Sequence, residues 1–485
     1  MSNPLFAISL MLLAGQVLAQ ADPAERGYRI EVEVEGFEEK EAYLANYFMD
    51  KQYIVDTSTA DGEKIVFEGD EALKPGTYLL VLPPNNDYAQ VQIGEDQRFK
   101  LKTKVDELTA NMRVKGSAEN ELFFDYLQFL AKMRPAADSL RLIAADSTLP
   151  QPTRDAAQAE VDAIDTRVKD LQASIKRDHP ETMTAVILRG LDEPVMPDFE
   201  GTEAEVQEKR YRYYKAHYFD NIDLGDPRML RSSFMDQRVS YYLDKLVIPH
   251  PDSIALELDY ILAEMRPAPE TFRFYTSKFL NDYAASKLVG MDAVYVHLAE
   301  KYYMSGIADW ADSTTVAKIT DNVVRTKPLL LGKPAPEITV ITRDNEKVAL
   351  SEVDAEFTVL FFFDPECGHC KKQTPHVIDF AKKYADKGVK VISVCTKFAP
   401  DQDSCWSYVD DKEGMAENML NAVDPYHRSK FKIKYDISST PQVYVLDREK
   451  TIVSKKISGE QLDDVVGRMI AIKEEQEVKK AAEGR

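Results

Sequence analysis

The chain has 485 residues, 44% hydrophobic and 29% charged, a globular composition with enough length for two to four domains. It carries 82 acidic against 61 basic side chains, and the resulting net charge of −21 argues against binding nucleic acid or an anionic membrane surface. All four cysteines fall after residue 366, so the first two thirds must be held by packing rather than by disulfides.

Residues 1–19 have the pattern of a secretory leader. An apolar core over 5–14 leads to Val17-Leu18-Ala19, which ends in the small residue that a signal peptidase needs. No Lys or Arg precedes the apolar run, and no cysteine stands at the cleavage point to take a lipid. No later stretch reaches the roughly eighteen apolar residues of a membrane-spanning helix. The expectation is an exported protein with no membrane span after leader removal, placed most naturally in the periplasm of a Gram-negative bacterium.

From 22 to 116 the pattern is strand after strand. Tyr28, Ile30, Val32 and Val34 alternate with Arg29, Glu31, Glu33 and Glu35, which gives one dry face. Strands are expected over 43–49, 53–57, 64–68, 77–82, 89–93 and 99–103, separated by turn signals such as Asp61-Gly62 and Pro75-Gly76. This spacing predicts an N-terminal antiparallel β-sandwich. Gly116-Ser117 closes it, and Ser117 is placed to cap a helix.

Residues 117–328 read as a central α-helical domain. Leu122, Phe123, Tyr126, Leu127, Leu130 and Met133 share one helical face, and Val161, Ile164, Val168, Leu171 and Ile175 form a second, coiled-coil-like stripe. Further helices are expected near 181–189, 203–219, 228–247, 252–265, 269–286, 290–304 and 312–325, with the 194–202 loop as a place to divide the domain into two lobes. The aromatic run Tyr211, Tyr213, Tyr214, Tyr218 and Phe219 reads as inter-helix core with tyrosine tips at its edge, or as a peptide-binding groove.

The chemistry concentrates in Phe361-Phe362-Phe363-Asp364-Pro365-Glu366-Cys367-Gly368-His369-Cys370. The apolar run 357–363 predicts a buried strand, followed by a tight loop and a helix that starts near Cys367. Cys370 then lies one turn further in, so the two sulfurs can close a disulfide across the first turn. Reduced, Cys367 faces unpaired amides and the positive end of the helix dipole, which favour its thiolate. A thiolate with a resolving partner is the equipment of disulfide exchange. Half a zinc site looks the same, but there is no second Cys-x-x-Cys and no i, i+4 histidine pair, so no metal or cofactor is expected.

Pro375 falls five residues after Cys370, and Thr440-Pro441 opens an apolar strand over 442–447. With these features residues 331–475 resemble the thioredoxin superfamily, specifically its extracytoplasmic TlpA/ResA-like thiol–disulfide oxidoreductases. The segments before it resemble a small β-domain and a helical domain of unknown role that precede such modules, and a charged tail is expected over 476–485. The resemblance implies a C-terminal α/β thioredoxin-like domain in a multidomain chain, with Cys367 and Cys370 as the catalytic, redox-active disulfide pair. It also implies substrate binding along Gly368, His369, Thr440 and a cis-Pro441, protein disulfides as substrates, and a thiol protein as electron-transfer partner. An insertion over 398–420, a helix over 427–435 and a hairpin of 442–446 with 451–456 complete the expected domain.

Several departures bear on mechanism. Thioredoxins place a buried Asp six residues before the first cysteine, where this chain has Phe361, and Glu413 or Glu417 of the insertion could supply the carboxylate instead. Glu366 beside Cys367 disfavours the thiolate, while a protonated His369 favours it. The Gly-His dipeptide matches protein disulfide isomerases, at about −180 mV against about −270 mV for thioredoxin, so redox direction stays open. Cys395 and Cys405 have three readings: buried thiols, a second disulfide, or a relay to the first pair. Two alternative functions stand beside exchange. One is a binding or assembly protein with a thioredoxin scaffold. The other is a peroxiredoxin-like peroxidase, whose family holds peroxide with a Thr or Ser three residues before the cysteine, where Asp364 stands.

Overall fold

The computed structural model describes residues 27–483, with side chains to residue 475, so the expected leader and the side chains of the expected tail lie outside the described residues. The chain packs as two compact units. One runs to Leu246 and regains Glu264–Thr271; the other holds Val247–Ala263 and everything from Phe272 onward. The helical region is therefore shared between units, and the break comes at residue 246 rather than in the 194–202 loop.

The first unit begins with eight strands: β1 (Tyr28–Glu35), β2 (Glu41–Phe48), β3 (Lys51–Thr59), β4 (Lys64–Gly69), β5 (Gly76–Leu82), β6 (Asp87–Ile93), β7 (Arg98–Lys104) and β8 (Arg113–Lys115). They form two four-stranded sheets in the orders β4-β1-β7-β8 and β3-β2-β5-β6. The period-2 pattern of β1 does what it predicts: Tyr28, Ile30, Val32 and Val34 are buried and join Leu44, Leu80, Val91 and Leu101 in a core between the sheets. The sandwich is antiparallel except where β1 pairs in parallel with β7, a crossover that local turn signals do not reveal.

Four helices follow, α1 (Ala118–Ala145), α2 (Gln151–Asp178), α3 (Met183–Gly190) and α4 (Glu203–Ala216), and then α5 (Ser233–Tyr241). Ser117 caps α1 by accepting from the Asn120 amide. Buried Asn120 also accepts from Gln92 N at 2.8 Å and donates to Gln92 O at 2.7 Å, which fixes α1 to strand β6. In the aromatic run Tyr218 and Phe219 are buried, whereas Tyr211 is exposed and its hydroxyl donates to the Leu246 carbonyl at 2.7 Å, so a tyrosine tip lies at the edge of the packed rings.

The remaining helical elements are α6 (Pro251–Glu264), α7 (Pro269–Ala284), α8 (Asp292–Leu298) and α9 (Ser313–Thr326). The C-terminal domain then contributes β9 (Thr339–Ile341), β10 (Lys347–Ala349), β11 (Phe357–Phe363), α10 (Gly368–Tyr384), β12 (Val389–Cys395), α11 (Gln402–Asp411), α12 (Met415–Asn418), β13 (Leu420–Val423), α13 (Phe431–Lys434), β14 (Gln442–Leu446), β15 (Ile452–Lys455) and α14 (Leu462–Glu483). Its sheet has seven strands in the order β10-β9-β13-β12-β11-β14-β15, with one apolar core on each face.

Two differences from the sequence reading have clear causes. The helix expected over 427–435 shrinks to α13, because Asp424 turns its carboxylate onto the Arg428 and Ser429 amides at 3.0 and 2.9 Å and holds a loop there. The insertion is no simple excursion: Cys395 at the end of β12 is disulfide-bonded to Cys405 in α11, with Cα atoms 6.0 Å apart, and the chain returns through β13 to widen the sheet.

Within the second unit, Lys455 on β15 is 3% exposed and bonds the Asp292 carboxylate and the Leu329 carbonyl. Asp292→Ala would leave that buried ammonium without its counter-charge, so it should cost roughly 3–5 kcal/mol in urea unfolding, and Lys455→Met added to it should recover most of the loss. The Cys395–Cys405 bond closes a loop of ten-residue separation. Replacing both cysteines by serine should lower the unfolding free energy of this unit by about 2–3 kcal/mol. An unchanged transition would mean that the bond carries no structural role.

Candidate active site

Strand β11 delivers the site. Its seven residues, FTVLFFF, are all buried; Phe361 and Phe363 point to one core and Phe362 to the other. Aromatic and β-branched side chains suit a central strand covered on both faces. The strand ends at Asp364, which forms a turn: its Oδ1 accepts from Glu366 N at 2.9 Å, and its carbonyl accepts from Cys367 N at 3.1 Å. Helix α10 starts at Gly368 with Cys367 as its N-cap, and the Cys367 sulfur accepts from the Cys370 amide at 3.4 Å.

Both cysteines are free thiols; Cys367 is partly exposed and Cys370 buried. Gly368 and His369 between them are exposed. Because β14 runs antiparallel to β11, with Phe362 opposite Gln442, the residues before β14 arrive beside the end of β11. The Thr440–Pro441 bond there is cis, and the Thr440 carbonyl lies 3.2 Å from the Cys367 sulfur. The structure thus brings Cys367, Cys370, Gly368, His369, Thr440 and Pro441 together.

The two thiols are set apart electrostatically. Burial raises the pKa of Cys367, but donors from the Cys370 side chain and amide, the Thr440 side chain and the His369 amide outweigh it and hold the thiol below its ordinary range. Burial dominates at Cys370, whose thiol is pushed up to about 12.

The carboxylates fall differently from expectation. Glu413 and Glu417 are exposed, and neither is a leading influence on either thiol. Beneath the pair lie hydroxyls instead: Thr374 donates to the Cys370 carbonyl at 2.8 Å, and its oxygen is 2.8 Å from the Tyr408 hydroxyl, both in the core. Thr374 could have been found at i+4 from Cys370; Tyr408 depends on how the insertion folds. Glu366, expected to oppose the Cys367 thiolate, is paired with Lys397 at 2.6 Å, and Lys397 also reaches Asp364 at 3.3 Å. The ammonium neutralises much of that opposing field. Cys395 and Cys405, a disulfide, sit one strand away, with Cys395 opposite Phe363.

Residues 331–455 match the AhpC/TSA family, while residues 28–123 and 195–325 match two domains of unknown function, DUF4369 and DUF5106. The thiol-disulfide oxidoreductase ResA of Bacillus cereus (strain ZK / E33L) is 24% identical over 141 residues, 27% of this chain and 71% of that protein. ResA of Bacillus anthracis is 25% identical over 139 residues, with the same coverage. Among solved structures, a thioredoxin-like protein from Bacteroides caccae aligns over 58% of this chain and 98% of its own at 19% identity and TM-score 0.43. A domain of a possible thiol-disulfide isomerase from Cytophaga hutchinsonii aligns over 32% of this chain and 98% of its own at 35% identity and TM-score 0.28. The C-terminal part of the chain is therefore an AhpC/TSA-family thioredoxin-like domain, carried behind two domains of unknown function.

Proposed function

We propose that the chain is an extracytoplasmic thiol–disulfide oxidoreductase acting on protein disulfides through Cys367 and Cys370. One observation carries the reading. Two thiols lie one helical turn apart, the outer held toward thiolate and the inner held neutral, beside the Thr440–Pro441 peptide edge. That is the division of labour that exchange needs. The Cys367 thiolate attacks one sulfur of a client disulfide, and the other sulfur leaves and takes a proton. Cys370 then gives up its proton and attacks the Cys367 sulfur, releasing the second client thiol and closing the Cys367–Cys370 bond. Two electrons pass to the client, and a thiol protein must return them; the same steps run backwards oxidise a dithiol. The leader pattern of residues 1–19 and the Cys395–Cys405 bond support an oxidising, extracytoplasmic setting.

The peroxidase alternative has less support. At the place of its peroxide-holding hydroxyl stands Asp364, whose carboxylate is engaged by the Glu366 amide and Lys397. A scaffold-only role would not need the unequal thiols.

Cys370→Ser should accumulate mixed disulfides with a denatured disulfide protein, because the resolving step is removed, whereas Cys367→Ser should accumulate few. Equal trapping by both, read on non-reducing gels, would overturn the assignment. The pH dependence follows from the direction of each shift. Cys367 sits below the ordinary thiol value, so iodoacetamide modification of the reduced protein should rise with pH through a midpoint below that of an exposed cysteine in an unstructured peptide measured in the same buffer. Cys370, pushed up to about 12, should stay unmodified across the neutral range. A Cys367 midpoint at or above the ordinary value would contradict the electrostatics.

A further inference from the structure

A surface beside the cysteine pair runs against the charge of the whole chain. The protein carries −21, yet residues 426–434, YHRSKFKIK, hold four cations and no carboxylate. The segment is shaped by a buried acid: Asp424, 3% exposed, spends its oxygens on the Arg428 and Ser429 amides and the Ser429 hydroxyl. It is thereby removed as a surface counter-charge. Among the described residues no carboxylate lies within ion-pair distance of Arg428, Lys430 or Lys432. Two cations instead lie over exposed rings: Arg428 over Tyr426 at 5.2 Å and Lys432 over Phe398 at 4.9 Å. Phe398 is 54% exposed, Tyr426 66% and Ile433 70%, so exposed apolar side chains alternate with the cations along this segment.

This face joins the site. Phe398 follows Lys397, the residue paired with Asp364 and Glu366 of the active-site loop, and Lys432 feels the charge of both Asp364 and Lys397. His427 stacks on Phe398 with centroids 4.0 Å apart, and the Ala399 amide donates to the Pro425 carbonyl at 2.9 Å, so the two segments form one surface.

We infer that this face is a docking surface for an extended, acidic segment of the client, with carboxylates meeting Arg428, Lys430 and Lys432 and apolar side chains meeting Phe398, Tyr426 and Ile433. The inference rests on the exchange reading for its purpose but not for its test. Charge complementarity selects the occupant: an acidic chain is otherwise repelled by a protein of this net charge, and a local cationic patch next to the reactive sulfur recruits it there.

The test is fluorescence anisotropy of the full, reduced protein with a Glu-Gly repeat peptide carrying one Phe and no cysteine, against its Lys-Gly counterpart. Sedimentation with phosphatidylglycerol vesicles runs in parallel. The acidic peptide should bind about tenfold more tightly at low ionic strength, and the preference should collapse as salt shortens the screening length. Arg428→Glu with Lys430→Glu should abolish or reverse the preference, and Tyr426→Ser should weaken binding several-fold without changing its sign. Equal affinities, a preference that survives the double substitution, or binding to vesicles but not to the acidic peptide would each overturn the proposal. The probe has no cysteine, so loss of disulfide turnover with the preference intact would count against the exchange reading alone.

Discussion

The site depends on burial of β11 from both sides. A strand whose seven side chains all enter a core can lie only at the centre of the sheet, and here it lies between parallel β12 and antiparallel β14. The antiparallel neighbour starts where β11 ends. That geometry places Thr440 against Cys367 although 73 residues separate them in sequence. Phe361 and Phe363 stack on one face at 5.8 Å, and Phe362 stacks on Phe431 at 5.5 Å on the other, so neither register nor tilt is free. A one-residue slip would carry Phe362 and its neighbours into the wrong cores and move the sulfur away from the helix terminus.

One helix end then treats two identical thiols differently. Free amides exist only in the first turn, so the dipole and hydrogen bonds act on Cys367, while Cys370 sits deeper and mainly loses water. Among the described residues no carboxylate side chain is a leading influence on either thiol. The groups below are the Thr374 and Tyr408 hydroxyls, and the Tyr408 hydroxyl is itself held in its neutral form by burial. Among the described residues, a proton leaving Cys370 thus meets hydroxyls rather than a buried carboxylate. On the proposed exchange reading, its departure belongs to the moment when Cys367 has become a mixed disulfide and its negative charge has gone.

Much of this was legible from residue patterns. The alternation in β1, the apolar run of β11 and the Cys-x-x-Cys with Thr440-Pro441 are local signals, and local signals predicted those elements and the grouping of the site. What was not legible is set by long-range contacts. The parallel pairing of β1 with β7 joins segments 69 residues apart, as in Val32 with Leu101. The three-residue strands β8, β9 and β10 are too short to show a period. Helical spacing over 427–435 was a real signal, overridden because one buried carboxylate satisfied the amides of the first turn in another way. Glu413, just before α12, and Glu417, within it, looked available as proton acceptors because sequence does not show that both side chains are exposed.

The junction before the thioredoxin-like domain is bound to the domain rather than strung from it. Gly332 N donates to the Ile452 carbonyl at 2.9 Å, Ile452 N donates back to Lys333 O at 2.9 Å, and Ala335 N donates to Lys450 O at 2.8 Å. Residues 332–335 therefore run along the edge of β15 and cover backbone groups that an edge strand would otherwise expose. Leu329 enters the core on that face of the sheet, and its carbonyl is one of the acceptors of buried Lys455. The other acceptor is Asp292 at the start of α8, where a carboxylate also suits the helix dipole. A domain cut at residue 331 would lose both partners of a buried ammonium at once. Asp292 and Leu329 are thus part of what holds this sheet, and both lie in the compact unit ahead of the family match that begins at residue 331.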